Sequence, residues 1–528
     1  MPTPSLPVIC GLRAVSLGER VPDSEHALCV SLPALADVVG YEEKDPLVMN
    51  RVVSGYPRFI SHHWVVRLAD CLAAEQALAD RVLYLCQSAR GARALAAFVG
   101  ERADPLRGES PADGLAWVAL PTAPRGEVHK RAFAFLQHTG VGISSRQAED
   151  CLVRRGILPA VGGEDLQAAD PEGRVRKVLA DAYGLKRPDG VVLCNSGMNA
   201  FYAGFRALQQ VQREAGRDCW IQLGWLYLDT GKILEQFRGA SESLERVFRV
   251  DDLDAVEAFL EREGDRVAGI ITEAPTNPLL ACPDLPRLRE LADAAGTCVI
   301  VDPTMATPLN VDVLPYADLV VNSLTKYTAA QGDVMAGALV ANPQKPHFLD
   351  LLAGAMPFVE PPYARDLQRL AAQIDRFPEV VSRANANCRA LARFLEQHPA
   401  VDHVWWLESA ENRPAFDRIR RPRGGPGAVL SFSLVDGLSL ADVYDALQVV
   451  KGPSFGTTFT MACPFMYLAH YDLVSSPDGR AFIRDQGIDP DLIRVSVGLE
   501  PAEAIIAAFE TALGGVARIS HQNRKNGR

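Results

Sequence analysis

The chain has no Cys-x-x-Cys pair, and its 11 cysteines stand singly at positions 10, 29, 71, 86, 151, 194, 219, 282, 298, 388 and 463. That spacing and the odd total speak against a disulfide framework or a zinc ribbon, and they predict a reduced, cytoplasmic compartment. Cysteines embedded in apolar runs, such as Cys298 in TCVIVD, read as small core residues. Nowhere do eighteen apolar residues follow one another, and the opening MPTPSLPVICGLRAV has no basic segment leading into an apolar one. Neither a membrane span nor export is expected. Positive charge is in short supply: a net charge of −11 and a pI near 5.5 argue against nucleic acid or an anionic membrane as partner. The one basic run, residues 518 to 528, reads as a short solvated tail. His62 and His63 are adjacent and the other histidines scattered, so no metal site is predicted. Neither GxGxxG nor GxxxxGK[ST] occurs, and there is no internal repeat or low-complexity segment.

What the chain has is the composition of an ordinary globular protein: 528 residues, 48% hydrophobic and 23% charged, enough for two or three domains. Residues 1–75 are proline-punctuated and read as an arm, with a patch of alternating charged and aromatic residues at GYEEKDPLVMNRVVSGYPRF (40–59). Residues 76–140 read as a small helix-rich insertion, ALADRVLYLCQSARGARALAAFVGER, closed by a short strand, LAWVALP. Residues 141–360 read as a large domain in which, from 170 to about 345, strands alternate with helices (VVLC, CWIQLG, VAGIITEAP, TCVIVDP and DLVVNSL), the rhythm of a mostly parallel sheet covered on both faces. Residues 361–515 fit a smaller α+β domain, with one long helix followed by the strands AVLSFSLV and IRVSVGLE; 516–528 form the basic tail.

In an open α/β sheet ligands sit at the carboxyl ends of the strands. At one such end Lys326, in VVNSLTKYTAAQG, has no acidic residue within six positions on either side. A lone lysine is ordinarily a surface residue; a buried one needs a carboxylate, a shifted pKa or a covalent bond. After VVLC, Ser196, Gly197 and Met198 turn into a helix whose N–H groups suit a phosphate, although an ordinary helix cap accounts for the turn equally well. After IIT and CVIV come Glu273 with Asn277, and Asp302. Such a buried acid asks for a cationic partner; a protonated pyridine nitrogen is one, a salt bridge or a metal another. Ser323 and Thr325 flank Lys326 and can add hydroxyls to the phosphate. A phosphate cradle, a buried acid and a lysine at adjacent strand ends together fit pyridoxal 5′-phosphate (PLP), with Lys326 as its covalent anchor.

With these motifs in this order, the chain from about 40 to 515 resembles the Cys/Met-metabolism group of PLP-dependent enzymes: cystathionine γ-synthases, their lyase relatives and the homoserine-ester sulfhydrylases. Ser196–Met198 stands as the family's phosphate turn, Tyr227 in Tyr227-Leu228-Asp229-Thr230 as its ring-stacking tyrosine, Glu273–Pro278 as E-x-P-x-N-P and Ser323–Lys326 as S-x-T-K. The resemblance implies fold type I, with Asp302 on the pyridine nitrogen, Lys326 and Tyr227 moving protons, and Arg494 on the substrate carboxylate. Ser454 lies in the stretch similar to the substrate loop, PSFGTTFTMACPFMYLAH. Tyr56 and Arg58 match the pair that reaches a neighbouring subunit's phosphate, which implies a homo-oligomer of site-sharing subunits, a tetramer. The arm text is similar to fungal-type cystathionine γ-synthases, which implies a γ-replacement transferase joining an O-acyl-L-homoserine and L-cysteine in methionine biosynthesis. A lyase or sulfhydrylase on the same scaffold is the alternative, and a non-catalytic PLP-binding regulator the reading of another class. Two positions differ from the family: Gln331 stands where its histidine does, and Pro303-Thr304 follows the aspartate.

Overall fold

The computed structural model describes residues 10–526 apart from 124, 125, 165 and 167, with side chains to residue 515. The solvation expected of the basic tail therefore lies outside the described side chains. After a two-stranded bridge (Arg20–Val21 with Cys29–Val30), the arm forms α1 (Leu35–Glu42) and then α2 (His63–Glu75). The next layer is β1 (Arg81–Cys86), α3 (Ala89–Val99), β2 (Leu106–Ser110), β3 (Leu115–Pro121) and α4 (Glu127–Thr139), with the strands antiparallel in the order β1-β3-β2. The run RVLYLC, expected within a helix, is thus a strand. Leu83 and Leu85 alternate inward against Leu68, Leu72 and Trp117, and this pairing overrides the helical pattern that continues into α3.

The large sheet is built from β4 (Val191–Cys194), β5 (Cys219–Leu223), β6 (Ser243–Val247), β7 (Val267–Glu273), β8 (Cys298–Asp302), β9 (Leu319–Ser323) and β10 (Gly337–Ala341), in the order β4-β10-β9-β8-β7-β5-β6. β10 runs antiparallel to both its neighbours and the other pairs are parallel. β7 is buried over its whole length, as a strand covered on both faces must be. Its alternate side chains part: Ile271, with Ile300 and Val321, lies under α5 (Gly197–Glu214), and Ile270, with Val299 and Val320, under the helices Leu253–Glu263 and Leu285–Ala294. Between the C-terminal ends of these strands and the smaller domain lies the main cavity.

The smaller domain carries α6 (Ala364–Gln373) and α7 (Phe377–Glu396) on a sheet of β11 (Val401–Trp405), β12 (Val429–Leu434), β13 (Val450–Lys451), β14 (Met461–Pro464) and β15 (Ile493–Ser496), ordered β11-β12-β15-β14-β13. The single long helix expected here is two. Pro378 cannot donate to the carbonyl four residues back, and a 3₁₀ turn at Ile374–Arg376 breaks the run.

One glycine of β10 positions the site. Gly337 pairs with both Cys194 and Ser323, and a Cβ there would lie 2.2 Å from the Ser196 carbonyl oxygen and 2.5 Å from the Gly197 nitrogen. Gly337→Ala must therefore push the 195–197 turn aside. We expect a loss of about 1–3 kcal/mol in thermal or denaturant unfolding, together with weaker PLP retention; an unchanged melting midpoint contradicts this.

Candidate active site

A cavity of about 440 Å³ opens at the ends of β4, β7, β8 and β9, and Tyr56, Arg58, Tyr227, Asp302, Lys326 and Arg494 all line it. Lys326 follows β9 directly. Its Nζ lies 3.2 Å from Ser454 Oγ, over the rings of Phe455 (4.9 Å) and Tyr56 (5.2 Å). Burial is the main force lowering its pKa, with Arg494 and Arg58 adding to the effect and Tyr56 and Cys29 opposing it. The amine is thereby biased toward its neutral, basic form.

Asp302 and Glu273 end neighbouring strands in register. The Thr304 N–H (2.8 Å) and hydroxyl (2.5 Å) donate to Asp302 Oδ1. Burial nevertheless pushes the Asp302 carboxyl up to about 6, and burial together with the Asp302 charge pushes Glu273 up to about 8. Glu273 Oε1 accepts from the Tyr227 N–H at 2.5 Å, while Oε2 is buried without a partner. A carboxyl whose pKa is higher folded than unfolded binds more protons in the native state, so stability falls as pH rises through the folded value. The cofactor-free protein should accordingly lose stability from pH 5 to pH 9. Glu273→Gln should flatten that slope in thermal melts; a slope equal to the parent's contradicts the assignment.

Arg494, from β15, donates from Nη1 to Asn277 Oδ1 (3.0 Å) and from Nη2 to the carbonyls of Pro453 (2.5 Å) and Ser454 (3.1 Å). Its Nε is buried and unpartnered. Arg58 donates from Nη1 to Asp229 Oδ2 and to the Gln137 carbonyl (2.6 Å), and from Nη2 to Tyr227 Oη (2.9 Å). Its Nε is likewise buried and open.

The residues fit PLP. Two buried guanidinium N–H groups and one buried carboxyl oxygen lack partners, as sites awaiting a polar ligand do. Gly197 leaves room that a Cβ would fill, 2.9 Å from Ser323 Cβ, so backbone N–H groups can be approached closely. Among the described residues Asp302 has no cationic side-chain partner, and it suits a protonated ring nitrogen. Gly197, Met198 and Ser323 line the cavity.

Two expectations change. The Ser196 hydroxyl is fully buried and caps α5 by accepting from the Asn199 N–H (3.1 Å), so the ordinary cap reading holds for its side chain. The Thr325 hydroxyl exchanges bonds with the Ala336 backbone, accepting from its N–H (3.1 Å) and donating to its carbonyl (3.3 Å), which turns it away from the cavity. Tyr56 and Arg58 line the cavity, and the arm that carries them contacts Gly332, Ser145 and Lys451. Sequence reading assigned no site role to Gln137, His138 or Asp229, which surround Arg58, nor to Cys29, a pocket residue that burial pushes up to about 11. Asp229 lay inside Y-x-x-T; the others carry no local signal. Among the described residues no three His, Cys, Asp or Glu converge as a metal set, and no helix is long and apolar enough to cross a membrane.

The fold and the lysine-acid-arginine site are those of a fold type I PLP enzyme. Comparison with known proteins narrows the class. The profile of the Cys/Met metabolism PLP-dependent enzymes matches residues 175–514, and the chain belongs to that family. It is similar to the L-2-amino-4-chloropent-4-enoate dechlorinase/desaturase of Streptantibioticus cattleyicolor, with 41% identity over 94% of this chain and 97% of the other. It is also similar to the cystathionine gamma-synthase of Neurospora crassa, with 28% identity over 94% and 98%. Among solved structures, the cystathionine gamma synthase of Xanthomonas oryzae pv. oryzae superposes with a TM-score of 0.55 at 21% identity, covering 67% of this chain and 89% of that one. The methionine gamma lyase CalE6 of Micromonospora echinospora gives 0.54 at 22% identity, over 68% and 90%. These two likenesses speak for the fold alone.

Proposed function

We propose that the protein removes a leaving group from Cγ of an L-α-amino acid. PLP, when bound, supplies the electron sink for charge developing on the substrate. Gly197, Met198, Ser323 and Arg58 would hold its phosphate, Asp302 its ring nitrogen and Tyr227 its ring face. The observation that carries the reading is that Lys326 and Arg494 meet on one residue, with Lys326 Nζ 3.2 Å from Ser454 Oγ and Arg494 Nη2 3.1 Å from Ser454 O. A substrate carboxylate taken by Arg494 therefore brings Cα toward the Lys326 amine, which removes the proton there and returns one further along the side chain. Phe455 and Phe465, against which Arg494 packs at 5.4 and 4.8 Å, keep water from that carboxylate.

Two completions follow from the same first step. Arg494 and Arg58 are the only arginines lining the cavity among the described residues, and Tyr41, Phe133, Leu468 and Ala469 give it an apolar wall. One further cation, Lys44, lines that side with its ammonium donating to Tyr41 O (3.1 Å), and the apolar remainder of the wall favours release of an unsaturated product without a second substrate. The name of the 41% identical relative likewise describes loss of chlorine, from C4, the γ carbon of its substrate. The second reading is γ-replacement, joining an O-acyl-L-homoserine and L-cysteine to give cystathionine. The synthase-like arm and the similarity to the Neurospora crassa enzyme favour it. We take the protein to be cytoplasmic and a homo-oligomer, a tetramer, in either case.

Incubating the enzyme with the acetyl, succinyl and phosphoryl esters of homoserine and with 2-amino-4-chloropent-4-enoate, with and without cysteine or sulfide, separates the two by mass. Leaving-group release that needs no thiol is the expected result. Strict dependence on a thiol, with a thioether product, selects γ-replacement, and no release from any of the four rejects the Cγ reading.

A further inference from the structure

One cavity residue, His470, has no part in the steps above. It stands at the junction of two short helices that follow β14, Phe465–Ala469 and Tyr471–Val474. Its backbone is pinned there: the N–H donates to Met466 O (2.9 Å), and the carbonyl accepts from Leu473 N (3.0 Å) and Val474 N (3.1 Å). The imidazole packs edge to face with Trp225, centroids 5.0 Å apart, and with Phe465 at 6.5 Å. Neither ring nitrogen has a hydrogen-bond partner among the described residues. A half-buried imidazole that meets only aromatic rings at the edge of a cavity keeps its N–H for a ligand.

The position suits one part of the substrate. The Phe465 ring bridges Arg494 and His470, with its centroid 4.8 Å from Arg494 Cζ and 6.5 Å from the imidazole. With the α-carboxylate on Arg494 and Cα at Lys326, a side chain extending along Phe465 carries its Cγ substituent toward His470. Leu468 and Ala469, which share that wall, are apolar, so His470 is the side-chain donor that this segment offers among the described residues. Burial is the main force lowering the His470 pKa, to about 4, with Lys232 adding to the effect and Asp472 opposing it. The ring is neutral near pH 7 and has one N–H to give.

We propose that His470 receives the departing group. In net terms a Cβ–H and the Cγ–X bond break and a second Cβ–Cγ bond forms: the proton passes to the Lys326 amine, and the Cγ–X electron pair leaves with X as an anion. The neutral imidazole donates its N–H to X and transfers no proton. That hydrogen bond strengthens as charge grows on X, so it favours the transition state over the bound substrate. The assignment rests on the Cγ reading and makes His470 a catalytic residue of that reaction.

The first test needs no turnover. Sodium iodide, whose anion quenches indole emission on contact, is titrated into the PLP-loaded protein while tryptophan emission is followed. Because Trp225 abuts the His470 ring, the parent should show a saturable quenching step that Trp225→Phe lacks and that His470→Phe reduces to a linear slope. A parent without that step, or a His470→Phe protein that keeps it, as when Lys44 holds the anion, overturns the assignment. The second test compares O-acetyl-L-homoserine with L-2-amino-4-chlorobutanoate, which differ only in the group on Cγ. His470→Phe should lower kcat for the acetyl ester roughly 10-fold, the loss of one hydrogen bond to a charged group. KM and the melting midpoint should stay the same, and the chloride, a poorer acceptor, should lose less. His470→Gln, which keeps an N–H near Nε2, should restore most of the rate. The parent-to-variant ratio should stay level from pH 8 down to pH 5; a ratio that grows as pH falls means that an imidazolium protonates X, and it overturns the neutral donor. Equal loss with both substrates, or loss that follows the melting midpoint, makes the residue structural and likewise overturns the proposal. A parent that releases neither group removes the Cγ reading and this assignment with it, whereas failure in the His470 variants alone leaves that reading standing.

Discussion

Lys326→Ala lowers turnover by roughly 10³-fold, the usual worth of a positioned general base, and the protein can no longer be covalently labelled with PLP. The expectation follows from the composition of the pocket. Among the described residues the only other lysine lining it is Lys44, at the end of the arm helix α1, where its ammonium donates to Tyr41 O at 3.1 Å. No second amine stands ready beside Ser454. The Lys326 side chain is half-buried between the Tyr56 and Phe455 rings, and desolvation holds its pKa below the ordinary lysine value. A small amine added to the solution can enter the space left by the side chain, so methylamine should restore part of the activity, whereas arginine at 326 should not. Steady-state rates of Lys326→Ala with and without added amine check both statements; turnover within tenfold of the parent contradicts them.

Arg494→Ala raises KM by roughly 10²-fold and lowers kcat as well, because the guanidinium has two tasks. In the proposed reaction it would offer an N–H fork to the substrate carboxylate, a geometry that a lysine ammonium cannot reproduce. It also ties the 453–454 backbone to Asn277, and Ser454 in turn contacts Lys326. Truncating one member of a buried charged contact costs about 2–5 kcal/mol, which spans the proposed loss. Arg494→Lys should keep the positive charge and still lose most of the affinity. If Arg494→Lys binds substrate like the parent, charge alone suffices and the fork geometry is not what matters. A KM that rises with kcat unchanged would mean that the tie to Ser454 has no role.

How much of this was legible beforehand depended on how local each signal was. The alternation from Val191 to Ser323 could be read because apolar runs such as VAGIITE, buried on both faces, look the same in any parallel sheet. Lys326 and Asp302 were singled out because they stand at strand ends, where ligands are held, whereas Arg494, inside β15, was expected from the family resemblance. Thr325 misled because its hydroxyl's direction is set by Ala336 on the segment leading into β10, whereas Ser196 caps α5 through the nearby Asn199, the alternative that the sequence had already left open. RVLYLC was misread because six residues of alternation are outweighed by the helix-forming run that follows, and only pairing with β3 decides between them. Gln137, His138 and Asp229 could not have been joined from sequence, since they lie about ninety residues apart and share only a carboxylate.

We propose Lys326 as the covalent anchor for PLP in a site that Asp302 and Arg494 complete. Reducing the PLP-loaded enzyme with borohydride and mapping its peptides by mass tests it most directly. We expect a single stoichiometric phosphopyridoxyl adduct on Lys326, absent when Lys326→Ala is treated in the same way. An adduct on another lysine, or none on a protein supplied with excess PLP, contradicts the claim.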